Sequence, residues 1–173
     1  AVLLAWVKLV ERRPLTTLGL VGERPGRGFL GGLGVGLATS TLVVAAIGLA
    51  GGYTAGELLP AWTSPAALLR VAILLAGFAV QSSVEEILFR GFLFRGLAAS
   101  WLRPCGAIVI TALLWAAIHE QYGWYEKALI FGAGLLLGWA RQQSGSLWVP
   151  LGLHAGMNAV ALTQAWLTAA VGG

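Results

Sequence analysis

The sequence predicts an all-α fold: a polytopic transmembrane helical bundle of about five complete membrane helices, preceded by the tail of a truncated one. Three observations predict it. Of 173 residues, 58% are hydrophobic and only 10% are charged, whereas a soluble domain carries ~25% charged residues to cover a water-facing surface. Uncharged runs approach or reach the ~20 residues that a helix needs to cross a bilayer. The 11 Lys and Arg, which outweigh 7 acidic residues to give a net charge of +4, are scattered between those runs, as a topology signal is. They form no tract of the kind that binds nucleic acid. The lone cysteine, Cys105, excludes an intramolecular disulfide framework and a Cys-only zinc site, and reads as an inert small residue at a helix start.

Two regions follow, residues 1–27 and 28–173. Residues 1–10 are apolar but too short to span, and read as a helix tail. Residues 8–27 hold Lys8, Arg12, Arg13, Arg24 and Arg27, broken by Pro14 and Pro25, the densest basic stretch of the chain, and so belong on the cytoplasmic side. A first span covers 29–51. Residues 52–65, with Glu57, Pro60 and Pro65 and no cation, suit a loop on the opposite side. A second span, 66–84, runs without a breaker into 85–102, and Pro104 with Gly106 marks a turn. Further apolar segments cover 107–118, 128–139 and 147–170. The first two of these are short, so flanking His119, Glu120 and Lys127 extend them or they surround a cavity. Arg90, Arg95, Arg103 and Arg141 then fall inside, and Arg70 and Lys127 on the minority side. Gly31, Gly32, Gly34 and Gly36, with Gly132, Gly134 and Gly138, lie within spans, where they serve close helix packing and not phosphate binding.

Ionisable groups inside apolar segments cost roughly 2.5 to 3.5 kcal/mol each on insertion scales, so they need a reason. Three places demand one. In the run Glu85-Glu86-Ile87-Leu88-Phe89-Arg90, Glu86 and Arg90 are i,i+4 helical neighbours, and Glu85 points ~100° away. One carboxylate can be neutralised while the other stays free. Trp115 and His119 share a face near the end of the third segment, and His154 and Asn158 share one inside the fifth. A Glu pair and the chain's two histidines therefore sit on three separate helices. They supply a carboxylate and an imidazole to activate water, and donors to stabilise an oxyanion.

The ordered set Glu85-Glu86-x-x-x-Arg90, Trp115-x-x-x-His119 and His154-x-x-x-Asn158, within residues 81–160, resembles the CPBP intramembrane proteases, the type II CAAX prenyl endopeptidases and bacteriocin-processing (Abi) enzymes. Trp115 stands where that family usually has Phe, and the run Gly145-Ser146-Leu147-Trp148-Val149-Pro150 is similar to its lead-in to the third motif. The resemblance implies that Glu85 and His119 activate water, that His154 and Asn158 bind the oxyanion, and that Glu86 and Arg90 support the first motif. It implies a peptide or membrane-protein substrate, prenylated or a peptide precursor, and no required cofactor. The Ala-, Gly-, Leu- and Arg-rich composition points to a bacterial inner (plasma) membrane and so to a peptide precursor or membrane-associated regulator. Two alternatives stand beside this: a zinc-dependent intramembrane metalloprotease with His119, His154 and Glu85 as ligands, and a non-catalytic membrane immunity or scaffold protein.

Overall fold

The computed structural model describes residues 2–20, 24–49 and 65–171, without the side chains of 65–67 and 164–171. The expected loop 52–65 lies almost wholly outside the described residues. All regular structure among them is helical. Helix α1 is Pro25–Leu49, opened by a proline whose missing N–H would have had no helical partner. Helix α2 spans 65–98 as one rod: Pro65–Glu86 is α-helical, Ile87–Leu93 is wound as a π-helix, and Phe94–Ala98 returns to α. Helices α3 (Arg103–Ala117), α4 (Trp124–Ser144) and α5 (Trp148–Val171) complete the bundle. Ahead of α1, Val2–Ala5 is α-helical, Trp6–Val10 forms a π turn and Leu15–Leu18 a 3-10 turn, with Val7 and Leu18 fully buried.

By length and apolarity alone, α1 and residues 68–98 of α2 are able to cross a membrane, while α3 is a shorter apolar helix. Large apolar side chains such as Leu42, Leu69, Ile73 and Val80 lie exposed along both long helices. In water such a surface is a liability, whereas against lipid tails it is the stable arrangement. Exposed aromatic rings gather at the helix ends, Trp101 between α2 and α3, Tyr122 between α3 and α4, and Trp124 and Tyr125 in the first turn of α4, where bilayer interfaces favour them.

Two sequence expectations are corrected. Pro104 does not mark the turn but sits in the first turn of α3, and the chain reverses just before it, with Arg103 at a left-handed φ of 54°. The third segment accordingly lengthens backwards to Arg103 and stops at Ala117, leaving His119 beyond the helix end. The fourth gains length at both ends, past Lys127 as expected, from Trp124 to Ser144, and closes on Gly145, whose N–H donates to the Arg141 carbonyl and whose φ of 64° turns the chain out of the helix.

Helices α1 and α5 run parallel and nearly touch backbone to backbone. A Cβ on Gly32 would overlap the Val149 carbonyl oxygen, and one on Gly36 the Leu153 carbonyl oxygen. From the other side, a Cβ on Gly152 would overlap the Phe29 carbonyl oxygen, and one on Gly156 would come 2.6 Å from the Leu33 carbonyl oxygen. Two small-xxx-small pairs thus face each other, which admits Cα–H···O contacts as well as van der Waals packing. On α4, Gly134 lies against Ala112 and Gly138 against Ile108 of α3. Between the helices, Phe89, Trp115, Leu137, Ala140 and Leu153 form the buried apolar cluster on which the polar groups rest.

Candidate active site

Glu85 and Glu86 end the α-helical part of α2, and their ~100° separation sends them to different surroundings. Glu86 turns into the bundle and is fully buried. Its Oε1 accepts from Arg90 at 2.9 Å and lies 2.9 Å from His154 Nδ1. Arg90, also fully buried, donates a second bond to the Gly134 carbonyl at 3.3 Å. Its guanidinium lies 4.7 Å from the Trp115 ring centroid and 5.8 Å from that of Phe89, a cation–π arrangement that compensates part of its lost hydration. Glu86 Oε2 and Arg90 Nε find no partner among the described residues.

Glu85 keeps its side chain 14% exposed. Oε1 accepts from Gln81 Nε2 at 2.9 Å, one helical turn earlier, and Oε2 accepts from the Trp115 indole N–H at 2.7 Å. The nearest imidazole is that of His154, whose Nε2 is 3.9 Å from Glu85 Oε2. His154 is only 4% exposed and stands edge-on to Trp115, ring centroids 5.1 Å apart. One imidazole therefore faces both carboxylates, Nδ1 toward Glu86 and Nε2 toward Glu85.

His119 is placed differently. Its Nδ1 is 2.7 Å from the Trp115 carbonyl oxygen, its ring meets the Trp115 ring edge-on at 5.1 Å, and it stacks on Tyr122 at 6.1 Å. Among the described residues it makes no ion pair with Glu85. Asn158 lies half-buried one turn beyond His154 and has no side-chain hydrogen bond among the described residues. A cavity of about 430 Å³ opens beside it, bounded by Trp115, His154, Met157 and Asn158 on one side and by Thr39 of α1 and Gly132 of α4 on others. Apart from Ser40 its remaining walls are aliphatic, and neither Glu85 nor His119 lines it. Among the described residues, no three His, Cys, Asp or Glu side chains gather as metal ligands.

The structure thus brings Glu85, Glu86, Arg90 and His154 together, sets Asn158 at the cavity next to them, and leaves His119 against Trp115 and Tyr122, outside the hydrogen-bonded cluster. Sequence reasoning missed two partners. Gln81 was findable, because it precedes Glu85 by four residues on the same helix. The Trp115 indole N–H was not, because its bond to Glu85 joins α3 to α2.

An all-helical bundle, apolar outside and enclosing a carboxylate–guanidinium–imidazole cluster, defines a helical membrane protein with an internal polar site. Residues 62–160, more than half of the chain, match the family described as Type II CAAX prenyl endopeptidase Rce1-like, and the chain belongs to that family and with it to the CPBP proteins. The match encloses every motif residue from Glu85 to Asn158, and the family is one of membrane-embedded peptide hydrolases. Neither the curated proteins nor the solved structures give a match to this chain.

Proposed function

We propose that the chain is an intramembrane endopeptidase that hydrolyses a peptide bond in a membrane-associated or peptide-precursor substrate, with a water activated by Glu85 and His119. The observation that carries this is the meeting of Glu85, Glu86, Trp115 and His154, from three helices, beside a cavity that His154 and Asn158 border.

Each Glu85 oxygen accepts one hydrogen bond and retains a lone pair, so it can take a proton from water as the water oxygen attacks the substrate carbonyl carbon. His119, on the short turn after α3, closes on that water when substrate binds. Catalytic hydrogen bonds are commonly long in the free enzyme and tighten in the complex. With Nδ1 facing Glu86, His154 presents Nε2 to the oxyanion, and the Asn158 amide, which makes no side-chain hydrogen bond among the described residues, supplies a second donor. Breakdown of the tetrahedral intermediate cleaves the C–N bond, and the proton held by Glu85 passes to the leaving amine. Arg90 neutralises Glu86 and keeps it from competing as a base. In this reading all five helices cross a bacterial inner membrane, with the basic segment 8–27 and Arg141 on the cytoplasmic side. The odd number of crossings agrees with the parallel run of α1 and α5.

The chemistry uses no metal ion. Comparison of membrane-protein termini by mass spectrometry, in cells expressing the chain or its Glu85→Gln variant at matched abundance, tests the proposal. New termini are expected with the unaltered chain alone, and they persist in membranes treated with a zinc chelator. Termini retained in Glu85→Gln would remove Glu85 from the mechanism. Loss on chelation with recovery on added zinc would move the assignment to a metalloprotease. If no terminus differs while both proteins are folded and a prenylated model peptide also stays intact, the scaffold alternative takes over.

A further inference from the structure

The π turn Ile87–Leu93 presents Arg90 to the site on its inner side, and on its outer side it is held by groups that the proposed chemistry does not use. Arg141, in the last turn of α4, donates from Nε to the Arg90 carbonyl at 3.2 Å. The same guanidinium lies 5.9 Å from the Phe94 ring centroid. Its far end rests on Gly19, where a Cβ would come 2.7 Å from Nη2 and 2.9 Å from Cζ. Gly19 has a φ of 91°, so glycine is required there both by the backbone and by the space the guanidinium fills. The residues around Gly19 are fixed in turn. Leu18 is fully buried with its carbonyl facing Gly91 of the π turn, the Gly19 carbonyl accepts from Leu147 N–H at 2.8 Å, and Arg95 donates to the Thr17 carbonyl.

One arginine therefore joins the end of α4, the turn at 17–19 and the outer side of the π segment. A π turn has poorer hydrogen-bond geometry than the α-helix on either side of it and persists where outside contacts favour it. The joint also needs the arginine fork, because Nε must reach one carbonyl while the terminal nitrogens lie against Gly19. A lysine has all its donors on one tip.

We infer that Arg141 is a positioning residue that holds Ile87–Leu93 in its π winding and thereby sets Arg90, Glu86 and His154 relative to one another; its bearing on catalysis rests on the endopeptidase reading above. The competing role is that of a plain cation in the last turn of α4, favourable to the helix dipole and to cytoplasmic placement. Lysine would serve that role equally well.

The test uses the full chain in lipid nanodiscs with three variants, Arg141→Lys, Arg141→Gln and Gly19→Ala, the last leaving charge unchanged. Hydrogen exchange of peptides covering 87–93 is expected to speed up about tenfold or more in all three, the scale of one charge-assisted hydrogen bond lost, with α1 and α5 unchanged. The Trp115 indole N–H resonance, identified by its absence from Trp115→Phe, is expected to shift, because that ring lies under Arg90 and donates to Glu85. If Arg141→Lys keeps both the protection and the resonance of the unaltered chain, charge alone suffices and the inference is overturned. Uniform loss of protection over α1 and α5 overturns it too, since Arg141 is then a general stabilising residue. Glu85-dependent termini are expected to fall at least tenfold in Arg141→Lys. Should the unaltered chain yield no such termini, the endopeptidase proposal fails, while exchange and resonance still decide whether Arg141 braces the π turn.

Discussion

Helix α5 is held on two faces by opposite means. Gly152 and Gly156 press into the backbone of α1, while His154 and Asn158, two residues out of step and so ~200° around the helix, face the carboxylates and the cavity. The glycine face depends on distance alone. It has no polar side chain, no rotamer to choose and no room to yield, because what lies opposite is carbonyl oxygen and not side chain. The polar face depends on charge, and among the described residues it leaves Glu86 Oε2 and Arg90 Nε without a partner and the Asn158 amide without a side-chain hydrogen bond. The difference separates placement from chemistry. A rigid seam fixes where His154 stands, and incomplete pairing leaves capacity for a substrate.

The comparison is broken most strongly at Arg90. Arg90→Met keeps bulk but leaves the Glu86 carboxylate buried without its cation, a change of ~3 to 5 kcal/mol for an ion pair broken from one side. Unfolding of the purified protein in detergent should register that loss in full. A change below about 1 kcal/mol would show that the Glu86–Arg90 pair does not hold the bundle together.

Asn158→Ala probes the same helix face with the opposite expectation. The Asn158 side chain satisfies no other group among the described residues, so stability should stay within about 0.5 kcal/mol of the unaltered chain, as for substitutions that break no buried feature. Turnover, followed through the Glu85-dependent termini, should drop ~10² to 10³-fold, the usual effect of removing one oxyanion donor. Unchanged turnover removes Asn158 from the site, and a large loss of stability would show it to be a structural residue.

What the sequence disclosed follows the same division. Helical spacing alone pairs Glu86 with Arg90 and puts His154 on the face of Asn158, because those relations lie within one helix and i,i+4 geometry settles them. The small-residue pair Gly134 and Gly138 is legible in the same way, and each indeed meets α3. Relations between helices are not legible. Nothing local says that Gly32 and Gly36 meet Gly152 and Gly156, since either pair could have packed on any neighbour. The Trp115 bond to Glu85 and the approach of His154 to Glu86 depend on helix tilt, which spacing does not encode. Pro104 misleads for a physical reason: a proline suits both a turn and the first turn of a helix, and only the following run to Ala117 decides between them. The π winding at Ile87–Leu93 leaves no mark in a pattern read at 3.6 residues per turn.

The smallest effect sharpens the comparison most, because it sets one glycine against another. Gly152→Ala places a methyl where the Phe29 carbonyl oxygen already stands, so α1 must move away, and overpacking of this kind costs ~1 to 3 kcal/mol. Gly132→Ala makes the same chemical change on α4, where a Cβ meets nothing within 4 Å among the described residues and lies by the cavity. There the methyl displaces no neighbour, and the higher helix propensity of alanine, up to ~1 kcal/mol in water-exposed helices, acts unopposed. Unfolding midpoints measured side by side should therefore move in opposite directions, down for Gly152→Ala and level or slightly up for Gly132→Ala. Equal destabilisation of both would mean that glycine serves a general need for backbone flexibility in this bundle, and the α1–α5 seam would lose its standing as the part that fixes His154 in place.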